Sequence, residues 1–298
     1  MSNSIRLEIA RGLVVNFDSL PPGSIALDGY VQGPVIDVEG ERFSFDHHDK
    51  CVRLLTRATC QQVMDAMLLG FNPEGYTVYI NDVDGDTALS VWLLQNPHRV
   101  NEPRVRALVE SVGAMDAHGP AYPVTDSALC RAFYDFAMKP EKDARRAKTY
   151  GTLDLAELLE GCVRNIGALV NEQLEMPAAA EKPRAYEVTH TGNGWVMAKS
   201  NDFVFDLLYD DGHTKAVVYQ EMPDGSIAYT VGKKSELVTG FPVGPHSKAD
   251  TILHALNQRE AGWGGGATIG GAPRNPDGSR SRLTPDQVFD LVNQLVAG

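Results

Sequence analysis

Hydrophobic positions in the first part of the chain come in short bursts, each bounded by Gly, Pro or acidic residues. Four of them, Gly12 to Phe17, Ser24 to Tyr30, Pro34 to Val38 and Arg42 to Phe45, have the length and flanks of strands. Thr59 to Leu69 is expected to be helical, because Val63, Met67 and Leu68 fall near one face. Tyr76 to Ile80 is a β-branched and aromatic strand that runs straight into an acidic segment, and Thr87 to Leu94 then reads as a buried helix. Helices are also expected over Glu102 to Met115, Asp126 to Met138 and Thr152 to Leu174. A strand, an acidic loop and a helix in that order are what a parallel sheet produces at the carboxyl ends of its strands.

The pattern changes at residues 176–186, a polar, Pro- and Ala-rich stretch expected to link a unit over 1–175 to a second over 187–298. Beyond it, strands are predicted at Gly194 to Ala198, Val204 to Leu208, Ala216 to Gln220 and Ser226 to Gly232. Pro223-Asp224-Gly225 marks a turn between the last two. A helix near Lys248 to Gln258 precedes a glycine-rich loop, and Thr284-Pro285-Asp286-Gln287 opens a final helix with a capping box. The expected fold class is α/β: an N-terminal parallel-sheet domain and a smaller C-terminal α/β domain bearing the glycine-rich loop.

Composition narrows the partners. With 298 residues, 43% of them hydrophobic, the chain has material for two cores. No apolar run reaches the roughly 18 residues that span a bilayer, so no membrane partner is expected. The net charge of −12 disfavours long duplex nucleic acid, which requires a broad basic face. A small phosphorylated or short oligonucleotide substrate remains compatible, because bound cations set the local potential. Four cysteines without a Cys-x-x-Cys pair fit reduced thiols and a cytoplasmic location. A homodimer is admitted but not required.

Two segments concentrate chemistry. Asp46-His47-His48-Asp49 follows the apolar strand ending at Phe45, where so many titratable groups are costly to bury unless paired or metal-bound. Asp82-Val83-Asp84-Gly85-Asp86 follows Ile80; three carboxylates in five residues repel one another, and a hard divalent cation removes that penalty. A calcium loop of the EF-hand type needs glycine at its sixth position, and here it is fourth. A haloacid-dehalogenase-like phosphatase also starts Asp-x-Asp-Gly, but this chain has Asp86 where that family has a hydroxyl residue. Gly264-Gly265-Gly266 offers consecutive backbone N–H groups to an anion, and Arg274 a bidentate phosphate contact.

Together, Asp46-His47-His48 and Asp82-x-Asp84-Gly85-Asp86 resemble the DHH phosphoesterase superfamily, which includes RecJ-type exonucleases, oligoribonucleases and manganese-dependent pyrophosphatases. The resemblance implies hydrolysis of a phosphodiester with two divalent cations, manganese or magnesium. It implies metal ligation by Asp82, Asp84, Asp86, His47 and Asp116, with Asp37 bridging. It places His48 and Asp46 at the reacting phosphate, and Gly264, Gly265, Gly266, Arg274 and His118 with the substrate. The motif order is permuted relative to the family, Ile80 stands where many members have histidine, and the histidine expected after the triple glycine is absent. A catalytically inactive nucleotide-binding or sensor protein of the same fold is the alternative.

Overall fold

The computed structural model describes residues 5–119, 122–173 and 184–296. The chain divides into two compact units, Met1–Ala179 and Ala180–Gly298. Most of the predicted linker over 176–186 lies outside the described residues.

In the first unit the order is β1 (Arg6–Ile9), β2 (Ser24–Leu27), β3 (Val35–Asp37), β4 (Arg42–Phe45), α1 (Thr59–Leu68), β5 (Thr77–Ile80), α2 (Gly85–Gln95), α3 (Pro103–His118), α4 (Ser127–Ala132), α5 (Lys139–Arg146) and α6 (Leu155–Val170). Its five-stranded sheet has the order β1-β5-β2-β4-β3, parallel except for β3, which pairs antiparallel with β4 at one edge. β2 is buried along its whole length, which suits the unbroken apolar run Ile25-Ala26-Leu27. α2 is buried from Gly85 to Leu94, so its apolar residues go all the way round rather than forming one stripe. Each of its leucines contributes on the order of 2 kcal/mol by leaving water.

The predicted strand over Gly12 to Phe17 does not form. Gly12 takes φ +67°, Val15 makes only a single bridge to Val31, and a short 3-10 turn covers Phe17–Ser19. The strand lies just upstream instead, at Arg6–Ile9, where alternating charged and apolar residues suit a sheet edge. Asp126 to Met138, expected as one helix, is α4 followed by a wide π turn over Phe133–Ala137.

The second unit contains β6 (Glu187–Thr191), β7 (Val196–Lys199), α7 (Phe205–Asp210), β8 (Lys215–Glu221), β9 (Ile227–Lys233), α8 (Ile252–Arg259), β10 (Gly264–Gly265), β11 (Ile269–Gly271) and α9 (Pro285–Val296). Its six-stranded sheet, β10-β11-β9-β8-β7-β6, is antiparallel except between β7 and β8. Val204 to Leu208 is a helix and not the predicted strand. Phe205, Leu208 and Tyr209 recur at helical spacing, and burying them on one side decides the conformation. The capping box is made as the sequence implies: Thr284 N–H donates to Gln287 Oε1 at 2.9 Å, and Gln287 N–H to Thr284 Oγ1 at 3.3 Å.

Candidate metal centre

Two adjacent parallel strands of the first unit, β2 and β4, run straight into aspartate, and a third, β5, leads into the acidic loop. Leu27 of β2 is in register with Phe45 of β4, so Asp28 and Asp46 leave the sheet side by side. β5, the other neighbour of β2, ends at Ile80 and leads into the loop carrying Asp84 and Asp86. Asp116 reaches the same place from the last turn of α3.

At the centre is His47, fully buried, with both ring nitrogens lacking a hydrogen-bond partner. Its Nε2 stands 2.9 Å from an Asp116 oxygen, 3.5 Å from Asp86 and 3.8 Å from Asp28. Close approach without hydrogen-bond alignment is costly for a buried imidazole unless something else occupies the lone pair. Each separation is one that neighbouring ligand atoms take around an ion: with ligands at roughly 2.1–2.3 Å, neighbours in a tetrahedral or octahedral shell lie roughly 3.0–3.8 Å apart. Two overlapping ligand groups share His47, one with Asp28 and His48 and the other with Asp86 and Asp116.

The carboxylates are fixed by neutral donors. Asp86 accepts from the N–H groups of Thr59 and Cys60, both at 2.7 Å, at the start of α1. Asp28 accepts from the hydroxyls of Thr59 at 2.9 Å and Thr87 at 3.1 Å. Asp84 caps α2 by accepting from Thr87 N–H at 2.9 Å. Burial first, and the neighbouring carboxylates second, push the Asp28, Asp84 and Asp86 carboxyls up, Asp86 to about 6. Divalent charge is what this set lacks, so the residues present fit a cation.

No family model matches the chain, and no curated protein matches it.

His48 plays a different part. Its side chain is 41% exposed, and Nδ1 lies 2.9 Å from Asp46 Oδ1. Burial raises the Asp46 carboxyl, but hydrogen bonds from the His48 ring, Gly33 N–H and His48 N–H outweigh it and hold Asp46 down to about 2. An ionised Asp46 only accepts, so the ring proton sits on Nδ1. Partnership with Asp46 raises the His48 pKa against the opposing effect of burial.

The structure thus brings together His47, His48, Asp46, Asp84, Asp86 and Asp116 of the residues that the sequence singled out. It places others elsewhere. Asp37, expected to bridge the metals, sits on the edge strand β3, where it accepts from Arg42 at 2.7 Å and from Gly40 N–H at 2.9 Å; it serves a turn and an ion pair. Asp82 turns toward a separate group, accepting from the Tyr150 hydroxyl and lying 3.6 Å from Arg145. Gly85 lies against aromatic packing; an added Cβ would meet the rings of Phe133 and Tyr134 at 3.0 and 3.1 Å. His118 ends α3 and packs on Tyr122, its pKa lowered by burial first and then by the nearby Arg53 guanidinium.

In the second unit, Gly264 and Gly265 pair antiparallel with Gly271 and Gly270, and Gly266 N–H donates to Ile269 at 2.8 Å. The glycine run is therefore a tight hairpin rather than an open anion cradle. A Cβ on Gly265 would collide with the Gly270 backbone, which is why glycine is needed there. Trp263 is buried against Tyr229, and Arg274 is exposed.

Asp28 is the residue that sequence reading missed, having been absorbed into the strand from Ser24. Its signal was present: Leu27-Asp28-Gly29 is an apolar strand ending in Asp-Gly, like Ile80 leading to Asp84-Gly85. Asp28→Asn is expected to weaken manganese binding at least about tenfold, whereas Asp37→Asn leaves it unchanged. Isothermal titration of the two variants separates them, and equal effects would put Asp37 back in the site.

Proposed function

We propose that the first unit is a metal-dependent phosphoesterase of the DHH kind, hydrolysing a phosphodiester of a short oligonucleotide or nucleotide-type substrate. The observation that carries this reading is the buried, unpartnered His47 imidazole among the carboxylates of Asp28, Asp86 and Asp116. His47, Asp86 and Asp116 would hold a cation together, and Asp28 shares His47 in the other group. Their mixed carboxylate and imidazole chemistry suits manganese better than magnesium, which favours oxygen alone. When bound, a divalent cation supplies Lewis acidity toward a phosphoryl oxygen and lowers the pKa of water.

The protein's own groups do the rest. Asp46 fixes the His48 ring, leaving Nε2 as the nitrogen that faces substrate. A raised pKa keeps more of that ring protonated near neutrality, so Nε2–H can donate to the departing oxygen. Arg53, which donates to the Asp116 backbone carbonyl at 3.4 Å, brings a guanidinium to the rim for a second phosphate oxygen. By resemblance, the first unit is the metal-binding domain and the second the substrate-binding one.

The purified chain should hydrolyse bis-p-nitrophenyl phosphate with added manganese, lose that activity in EDTA and regain it on manganese readdition. Metal binding and tight nucleotide binding without turnover would favour the sensor reading. Failure to bind manganese, magnesium or zinc would remove the metal centre altogether.

A further inference from the structure

β1 is an edge strand, and nothing among the described residues pairs with its outer side. Arg6 N–H and Ala10 N–H donate inward to the carbonyls of Tyr76 and Ile80 beside β5. By strand alternation, Leu7 and Ile9 turn their backbone N–H and C=O groups outward. The side chains of Leu7 and Ile9 line an open groove of about 610 Å³, with Leu155, Leu159 and Val163 of α6 on its other wall. Arg6 and Glu8 point to the opposite face and are exposed.

We propose that a second copy of this chain docks along β1, antiparallel about a two-fold axis at Leu7, to make one continuous ten-stranded sheet. Register is decided by two independent requirements. Outward backbone groups must face each other, which allows Leu7 opposite Leu7, or Leu7 opposite Ile9, or Leu7 opposite Ile5. The second places Glu8 against Glu8 and the third Arg6 against Arg6. Only the first sets each Arg6 opposite the partner's Glu8, giving two opposite-charge cross-strand pairs and Ile5 opposite Ile9 on the groove face. Pairing satisfies the edge and extends the apolar face beside the groove, which a long-lived exposed edge would otherwise present to any strand.

Charge exchange tests this in the full chain by sedimentation equilibrium. Wild type is expected to be dimeric at micromolar concentration. Arg6→Glu and Glu8→Arg should each weaken the dimer about tenfold or more, because both pairs become repulsive. Mixing the two single variants should restore a heterodimer, and so should the double exchange Arg6→Glu/Glu8→Arg as a homodimer. Leu7→Cys should cross-link on mild oxidation beyond the wild-type background, since a hydrogen-bonded antiparallel pair sets Cα atoms about 5.5 Å apart. A monomeric wild type, or single reversals that leave the dimer intact, would overturn the proposal. Far-ultraviolet circular dichroism confirms that each variant is folded, and none of these residues belongs to the metal centre.

Discussion

Replacing His47 with alanine is expected to abolish manganese-dependent phosphodiester hydrolysis, by at least about a thousandfold, while the chain stays folded. The size follows from what the imidazole holds. A cation at this centre is worth several kcal/mol of charge stabilisation in the transition state, and each 1.36 kcal/mol is tenfold in rate. His47 is the one residue common to both ligand groups, so its loss affects both. The fold should tolerate the change, because the ring makes no hydrogen bond and the neighbouring carboxylates keep their own donors from Thr59, Cys60 and Thr87. The loss is a cavity, offset in part by removing two unsatisfied buried nitrogens. Activity assayed over a range of manganese concentrations, beside a thermal melt, is the check. Retained turnover in a folded His47→Ala protein would exclude this centre as the site of reaction. His48→Ala should behave differently, costing rate far more than metal affinity at the group of His47, Asp86 and Asp116.

The second large effect is on stability, and its sign depends on whether metal is bound. Asp28, Asp84 and Asp86 have carboxyls raised by burial and by one another. A group whose folded pKa lies above its unfolded value contributes stability that is complete below the unfolded pKa and is lost as pH rises through the folded one. For Asp86 the window runs from 3.8 up to about 6, a difference on the order of 3 kcal/mol. The metal-free protein is therefore expected to melt higher at pH 5 than at pH 7.5. Bound cation reverses the dependence by keeping the same carboxylates ionised, so the metal-loaded protein loses stability as pH falls through that window, when protons compete with the cation. The gap between the two melting curves should be several degrees at pH 7.5 with saturating manganese, and it should close toward pH 5. Asp46, held down to about 2, titrates below this range and does not blur it. Parallel melts of loaded and EDTA-treated protein decide the matter; a gap that does not change with pH would mean that these carboxylates are not ligands.

Legibility varied with the kind of information required. β3, β4, α1 and β5 lie close to where periodicity placed them, because short apolar bursts between Gly, Pro and acidic residues have few other solutions. β1 was invisible for the complementary reason: Arg6-Leu7-Glu8-Ile9 is too short and too charged to stand out, and only pairing with β5 makes it a strand. The acidic turn was recognised as a unit, yet its three carboxylates part company. Asp84 caps α2, Asp86 reaches back to the start of α1, and Asp82 goes to Tyr150. Which way a carboxylate faces depends on donors far away in sequence, and no local pattern encodes it.

The same division holds for the protein as a whole. By itself the sequence determined the alternation of strands and helices, the division into two units, and the presence of Asp46-His47-His48 and an acidic turn at strand ends. These follow from period, turn chemistry and the cost of clustering like charges, which act over a few residues. Only the tertiary structure decided that Asp28 joins the centre and Asp37 does not, that the glycine run closes into a hairpin, and that β1 is left with a free edge. Those outcomes depend on which strands become neighbours, and the sheet order β1-β5-β2-β4-β3 is set by burial summed over the whole unit.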